Sequence, residues 1–218
     1  MFKTVDTIIF DNDGTLFQAD LVSFPAVVSA YKDLMRVYDV KIDIPSKDQI
    51  NEKIGLPAND YFRNLLPEHL QQWSEEFQQM AVQHEVSNIN KGLGSLYPDV
   101  EETLIELKKR NYKLGIITNA GADYFNAIVE KFIYAKFFDA YLCLGDRPHV
   151  DKSDLLKELL DHFQAKKGAM VGDKSSDVEA GIKHKCITVG ALYGYGSEEE
   201  LSKADERIES FSQLANLF

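Results

Sequence analysis

The sequence predicts an α/β protein, a parallel sheet core interrupted by an all-α insertion. Three observations carry this. Short β-branched runs alternate with helical stretches from Tyr97 onward. Such alternation builds parallel sheets joined by right-handed crossovers. A stretch of about 75 residues after the first strand shows apolar spacing of the helical kind alone. Polar and acidic residues stand where the apolar runs end, and ligands of such sheets bind at the carboxyl ends of the strands.

The elements follow in order. Val5–Phe10 is a buried strand that stops at Asp11-Asn12-Asp13-Gly14-Thr15. Next come Val27, Tyr31, Leu34, Met35 and Tyr38 at helical spacing, then Ile50 and Ile54, then Tyr61, Phe62, Leu65 and Leu66, then Trp73, Phe77 and Met80. Gly92 and Gly94 mark the exit from this block. Pro98 opens a helix through Lys109, and Lys113–Thr118 is a strand. Tyr124–Tyr134 reads as helix, Ala140–Leu144 as strand, Ser153–Phe163 as helix and Gly168–Gly172 as strand. Asp177–Lys183 is a short helix, opened by a Ser176-x-x-Glu179 capping box, and Cys186–Val189 a last strand.

Composition narrows the function. The 218 residues carry a net charge of −11, which argues against nucleic acid and against an anionic membrane surface. An apolar share of 44% beside 27% charged residues belongs to a folded globular chain, not to a disordered one or a rod. Cys143 and Cys186 form no C-x-x-C pair and read as reduced core thiols. The apolar run Thr7–Phe10 is too short and too soon acidic for a secretory leader. No stretch has the length of a membrane span. The expected location is cytoplasmic, as a monomer or homodimer.

Asp11 and Asp13 stand two apart, on one face of extended chain. With Asp173 they make an oxygen-rich anionic cluster suited to Mg²⁺. If Asp11 attacks a phosphoryl dianion, the charges repel by about 8 kcal/mol at 4 Å and an effective dielectric of 20. A metal and Lys152 would offset this, with the Thr118 hydroxyl and the backbone N–H groups near Asn119 and Ala120 holding phosphoryl oxygens. Asp13 would protonate the leaving oxygen and later deprotonate a water. Each signal alone has a plainer reading. An Asp-x-Asp-Gly is often a turn, Thr-Asn a strand-to-helix turn, Asp177 a first-turn acid, Lys152 a solvated lysine. A calcium loop would need an acid after Gly14 where Thr15 stands, and a terminal Glu that is missing.

Taken in order, four motifs resemble those of the haloacid dehalogenase superfamily, in its phosphoglycolate phosphatase and β-phosphoglucomutase branch. They are Ile8-Ile9-Phe10-Asp11-Asn12-Asp13-Gly14-Thr15-Leu16, Gly115-Ile116-Ile117-Thr118-Asn119, Lys152, and Met170-Val171-Gly172-Asp173-Lys174-Ser175-Ser176-Asp177. The resemblance implies a Rossmann-like core of residues 1–17 and 95–218 and a helical cap of residues 18–94. It implies a Mg²⁺-dependent phosphatase acting on a small phosphorylated metabolite through an aspartyl-phosphate, with Asp11 as nucleophile and Asp13 as acid/base. It implies a metal held by Asp11, the Asp13 backbone carbonyl and Asp173, supported by Asp177, and phosphate contacts from Thr118, Asn119 and Lys152. The chain departs from the pattern where Ser153 follows Lys152, a place usually taken by proline; Lys157 and Lys174 stand as alternatives. The stretch Gly145-Asp146-Arg147-Pro148-His149-Val150 is also atypical and reads as surface loop, although Arg147 and His149 are placed to touch substrate.

A helical block over the strand ends can act as a lid, with hinges expected at Phe17–Asp20 and Lys91–Ser95. Ile54-Gly55-Leu56-Pro57 resembles the cap loop that reaches the active site in relatives, and Lys53, Asn59 and Arg63 are polar residues near it. Two other readings compete: a phosphomutase, against which Thr15 speaks mildly, and a catalytically silent phosphate-binding relative. A response-regulator receiver draws its acceptor aspartate from a later strand and lacks such an insertion. Dehalogenation is disfavoured because Asp13 is present.

Overall fold

The computed structural model describes residues 2, 4–145, 147 and 149–218. Six parallel strands form one sheet: β1 (Thr7–Phe10), β2 (Lys113–Thr118), β3 (Ala140–Cys143), β4 (Gly168–Gly172), β5 (Ile187–Ala191) and β6 (Glu206–Ile208), in the spatial order β3-β2-β1-β4-β5-β6. The chain winds outward from β1 in both directions, so β1 ends at the point where the winding reverses, the place such sheets use for ligands.

The pleat explains the two cores. In β1 Ile8 and Phe10 point to one face and Ile9 to the other. Phe10 meets Phe138 and Phe211 at 6.0 and 5.7 Å between ring centres. Helices α5 (Val100–Lys109) and α6 (Ala122–Lys131) cover that face. Ile9 packs with Ile117, Met170 and Leu155, Leu156 and Leu159 of α7 (Lys152–Phe163), beside Ala180 of α8 (Ser175–Lys183). All four residues of β1 are buried, as a central parallel strand requires.

Between β1 and β2 stand α1 (Asp20–Tyr38), α2 (Lys47–Asn51), α3 (Ala58–Leu65) and α4 (Ser74–Asn90), the all-helical insertion that the apolar spacing predicts. Its interior gathers Val27, Tyr31, Leu34, Phe62 and Phe77, with Tyr31 and Phe77 rings 4.8 Å apart. Trp73 stacks on Tyr38 at 4.3 Å between ring centres. The chain leaves and re-enters the sheet side by side: the Gln18 N–H donates to Ser95 O and the Tyr97 N–H to Leu16 O, both at 2.9 Å.

Several element ends differ from expectation. The helix expected from Pro98 begins at Val100, and the strand expected from Cys186 begins at Ile187. The helix expected at Asp177 begins at Ser175, and the Ser176/Glu179 capping box does not form; Asp177 Oδ2 instead accepts the Lys174 N–H at 3.0 Å. Lys152, expected just before a helix, is the first residue of α7. Strand β6 was not predicted: Glu206-Arg207-Ile208 is short and mostly exposed, so it has no apolar run to announce it. Among the described residues, no helix is long and apolar enough to cross a membrane.

Candidate active site

Each functional side chain is set by the local chain. After β1, the Asp11 N–H still donates to Val171 O at 2.8 Å, extending the ladder by one residue. The loop then folds on itself, with the N–H groups of Leu16 and Phe17 both donating to Asn12 O, at 2.8 and 2.9 Å. Gly14 has φ +88°, and a β-carbon there would stand 2.3 Å from Asp173 Oδ2. Only glycine lets the turn lie against that carboxylate. Gly172 plays the same part at the end of β4, where a β-carbon would stand 2.2 Å from Asp177 Cγ.

The structure brings Asp11, Asp173, Asp177, Lys152, Thr118 and Asp13 to the carboxyl edge of the central strands. Ligand oxygens of Asp11, Asp173 and Asp177 lie within 4.8 Å of one another, all buried. Lys152 Nζ stands 2.8 Å from Asp11 Oδ1 and 2.6 Å from Asp177 Oδ1. Asp173 is clamped from both sides, by Thr15 Oγ1 at 3.1 Å and the Tyr195 N–H at 2.8 Å. Asp11 Oδ2 is buried and has no hydrogen-bond partner. A bare anionic oxygen beside two further carboxylates suits a hard divalent cation, so the donor set fits one.

The electrostatics follow from burial. Burial pushes Asp11 well above the usual carboxylate range; Lys152 pulls it down, and Asp177 and Asp173 push it up again. Asp173 rises to about 7, through burial and the neighbouring Asp177, against the Tyr195 N–H and the lysines. For Lys152 burial acts downward, but Asp11 and Asp177 outweigh it and its pKa rises. Asp13 sits apart from the triad. Its Oδ1 accepts from Tyr124 Oη at 2.9 Å and Asn12 Nδ2 at 3.0 Å, and burial brings it to about 6 against those two bonds and Lys152.

Lys152 owes its place to a device other than proline. Asp151 and Asp154 cap α7 reciprocally, the Asp154 N–H donating to Asp151 Oδ1 at 2.8 Å and the Asp151 N–H to Asp154 Oδ2 at 3.1 Å. Ser153, where proline was expected, bonds His184 Nε2 at 2.9 Å and ties α7 to the end of α8. The alternative lysines stand elsewhere. Lys157 pairs with Asp161 on the surface, and Lys174 Nζ donates to Tyr195 O at 3.2 Å.

The Gly55 loop does reach this edge: Asn119 Nδ2 donates to Gly55 O at 2.8 Å, and the Ala58 N–H to Asn119 O at 3.3 Å. Asn119 is thereby a clasp between sheet and insertion. Lys53, Asn59 and Arg63 do not line the cavity, and Arg63 bonds Gln71 instead. Arg147 is paired with Glu158 on the surface, while Asp146 and Pro148 lie outside the described residues. Sequence reasoning missed Tyr124, Tyr61, Ser23 and Glu85, all of which line the cavity over Asp11 and Asp13. Glu85 had a signal: Phe77, Ala81, Glu85 and Ile89 form one buried stripe of α4, and an acid within it is out of place.

Comparisons with known proteins agree with this geometry. The family model described as haloacid dehalogenase-like hydrolase matches residues 8–191. A phosphoglycolate phosphatase of Vibrio cholerae is 28% identical over 213 residues, covering 93% of this chain and 91% of its own. Pyrophosphatase PpaX of Listeria monocytogenes is 23% identical, covering 98% and 96%. A haloacid dehalogenase-like family hydrolase of Streptococcus pneumoniae superposes with a TM-score of 0.82 at 20% identity, over 99% of this chain and all of that one, and so shares the fold. The family match spans the sheet from Ile8 in β1 to Ala191 in β5, every motif included, and the chain belongs to the haloacid dehalogenase-like hydrolases.

Proposed function

We propose that this chain is a Mg²⁺-dependent phosphatase that hydrolyses a small phosphomonoester through an aspartyl-phosphate, the insertion of residues 18–94 serving as a cap over a core of residues 1–17 and 95–218. The observation that carries this is Asp11 Oδ2: a buried carboxylate oxygen without a partner, facing a cavity, with Lys152 fixed against its twin. Relatives named phosphoglycolate phosphatase and pyrophosphatase support the reaction class.

A carboxylate oxygen of Asp11 attacks phosphorus, and the bond from phosphorus to the leaving oxygen breaks. Lys152 stands beside the same carboxylate and offsets the charge that gathers on the phosphoryl oxygens. Thr118 Oγ1 accepts the Ala120 N–H at 3.1 Å, which leaves its own proton to donate to a phosphoryl oxygen. Asp13, with a pKa of about 6, holds a proton in part of the population near neutrality and delivers it to the leaving oxygen. Once ionised, it takes a proton from the water that cleaves the acyl phosphate, which restores Asp11 and releases inorganic phosphate. Tyr124 and Asn12 orient it throughout. Asp11, Asp173, Asp177 and the Asp13 carbonyl would hold Mg²⁺, which when bound neutralises phosphoryl charge.

The test is hydrolysis of an aryl phosphate with and without Mg²⁺, for the wild type and Asp11→Asn. Metal-dependent turnover that vanishes in the variant supports the reading; metal-independent turnover, or turnover retained by the variant, overturns it.

A further inference from the structure

The cavity over Asp11 and Asp13 runs on into the insertion and holds about 60 Å³. Its walls there are apolar, from Ile54, Phe62 and Val82. Three polar groups interrupt them. Ser23 on α1 donates its hydroxyl to Glu85 Oε1 on α4 at 2.6 Å, and the two side chains are buried. Tyr61 on α3 is 7% exposed, and its hydroxyl has no hydrogen-bond partner. An unpartnered buried hydroxyl costs stability, so a fold that keeps one in a ligand cavity has left it for the ligand. The sole cation lining the cavity, among the described residues, is Lys152, which Asp11 and Asp177 already hold.

Resting on the phosphatase reading above, we propose that the substrate's leaving group is a small uncharged alcohol carrying a second hydroxyl, which accepts from Tyr61 and hydrogen-bonds Glu85. The unpartnered Tyr61 hydroxyl and the want of a free cation among the lining residues select this group. A hydroxyl both gives and accepts. A carboxylate or a second phosphoryl group would bring a charge in among apolar walls where, of the described residues, no free cation stands to meet it. An ammonium only donates, and leaves the Tyr61 proton without an acceptor. The apolar walls suit the carbon frame between the two oxygens, and the volume keeps it short. This chain would therefore differ in substrate from the relatives named for phosphoglycolate and pyrophosphate, whose substrates are charged beyond the transferred phosphoryl group.

The test compares kcat/KM, with Mg²⁺ present, for alkyl phosphates of matched chain length ending in a hydroxyl, a carboxylate or an ammonium, alongside pyrophosphate and an aryl phosphate. The hydroxyl ester should exceed both charged partners by at least about tenfold at its best length. Tyr61→Phe should shrink that ratio several-fold. If a charged ester or pyrophosphate equals the hydroxyl ester while the aryl phosphate is turned over, this inference falls and the phosphatase reading stands. A ratio unchanged in Tyr61→Phe overturns it as well. If the aryl phosphate and every ester are inert, the phosphatase reading falls and takes the inference with it.

Discussion

The ammonium of Lys152 stands 2.8 Å from Asp11 Oδ1 with both side chains all but sealed from water, at 4% and 2% exposure. A buried charge stripped of its partner is far costlier than an exposed one. Lys152→Met leaves Asp11 and Asp177 facing each other without a cation. The variant should lose on the order of 3 kcal/mol of stability at neutral pH and nearly all turnover. Urea denaturation beside an activity assay checks both; a variant as stable and active as the wild type would refute the role.

Tyr124 bears on the proposed acid/base, Asp13. Its hydroxyl bond to Asp13 holds that carboxyl below where burial alone would put it. Tyr124→Phe removes the bond, so the Asp13 pKa should move up from about 6. In the proposed reaction the protonated form serves the first half-reaction, so the alkaline limb of the pH–rate profile should shift to higher pH. Asp13→Asn should lower kcat by about 10²–10⁴ for an alkyl phosphate, and by less for an aryl phosphate, whose leaving oxygen needs less help.

The metal prediction has a readout apart from turnover. Mg²⁺ held by the Asp11, Asp173 and Asp177 triad would stabilise the folded state by mass action, about 2.7 kcal/mol at a hundredfold excess over Kd. That is a rise of several degrees in Tm for a chain of this size. Asp173→Asn should abolish the rise, and a chelator should reverse it in the wild type. A Tm indifferent to Mg²⁺ would count against the site.

Glu85 gives a stability signature. Burial first, opposed by the Ser23 bond and aided by Asp13, raises its pKa from 4.5 to about 8. The folded chain then keeps a proton that the unfolded chain gives up between those values, so stability falls as pH rises from 4.5 to 8. Glu85→Gln keeps an acceptor for Ser23 and removes the titration. Relative to the wild type it should gain on the order of 3 kcal/mol by pH 8 and little near pH 5. Denaturation midpoints across that range settle the sign.

Much of this was legible in the residues. The β1 run ending at Asp11, the Gly172-Asp173 pair and the helical spacing of residues 18–92 are local signals, set by pleat and helix period, and the structure keeps them. What stayed hidden depends on distant contact. Tyr61 and Tyr124 read as core aromatics at helical positions, and only packing turns their hydroxyls into the cavity. The clasp of Asn119 on Gly55 joins residues 64 apart. Ser153 departs from the family pattern at the start of α7, and the Asp151–Asp154 pair that caps this helix is a local bond whose worth shows only once Lys152 is seen buried.

The insertion leaves and rejoins the sheet through strands of chain that are bonded to each other, Leu16 to Tyr97 and Gln18 to Ser95. Its two ends thus lie as close as those of a hairpin. To the sheet, a four-helix excursion and a tight turn present nearly the same boundary, and loop-closure cost grows only slowly with length. Such a socket lets the strand ends be kept while the body plugged in above them is lengthened, shortened or exchanged, so that the edge of the sheet need not be rebuilt when the insertion changes.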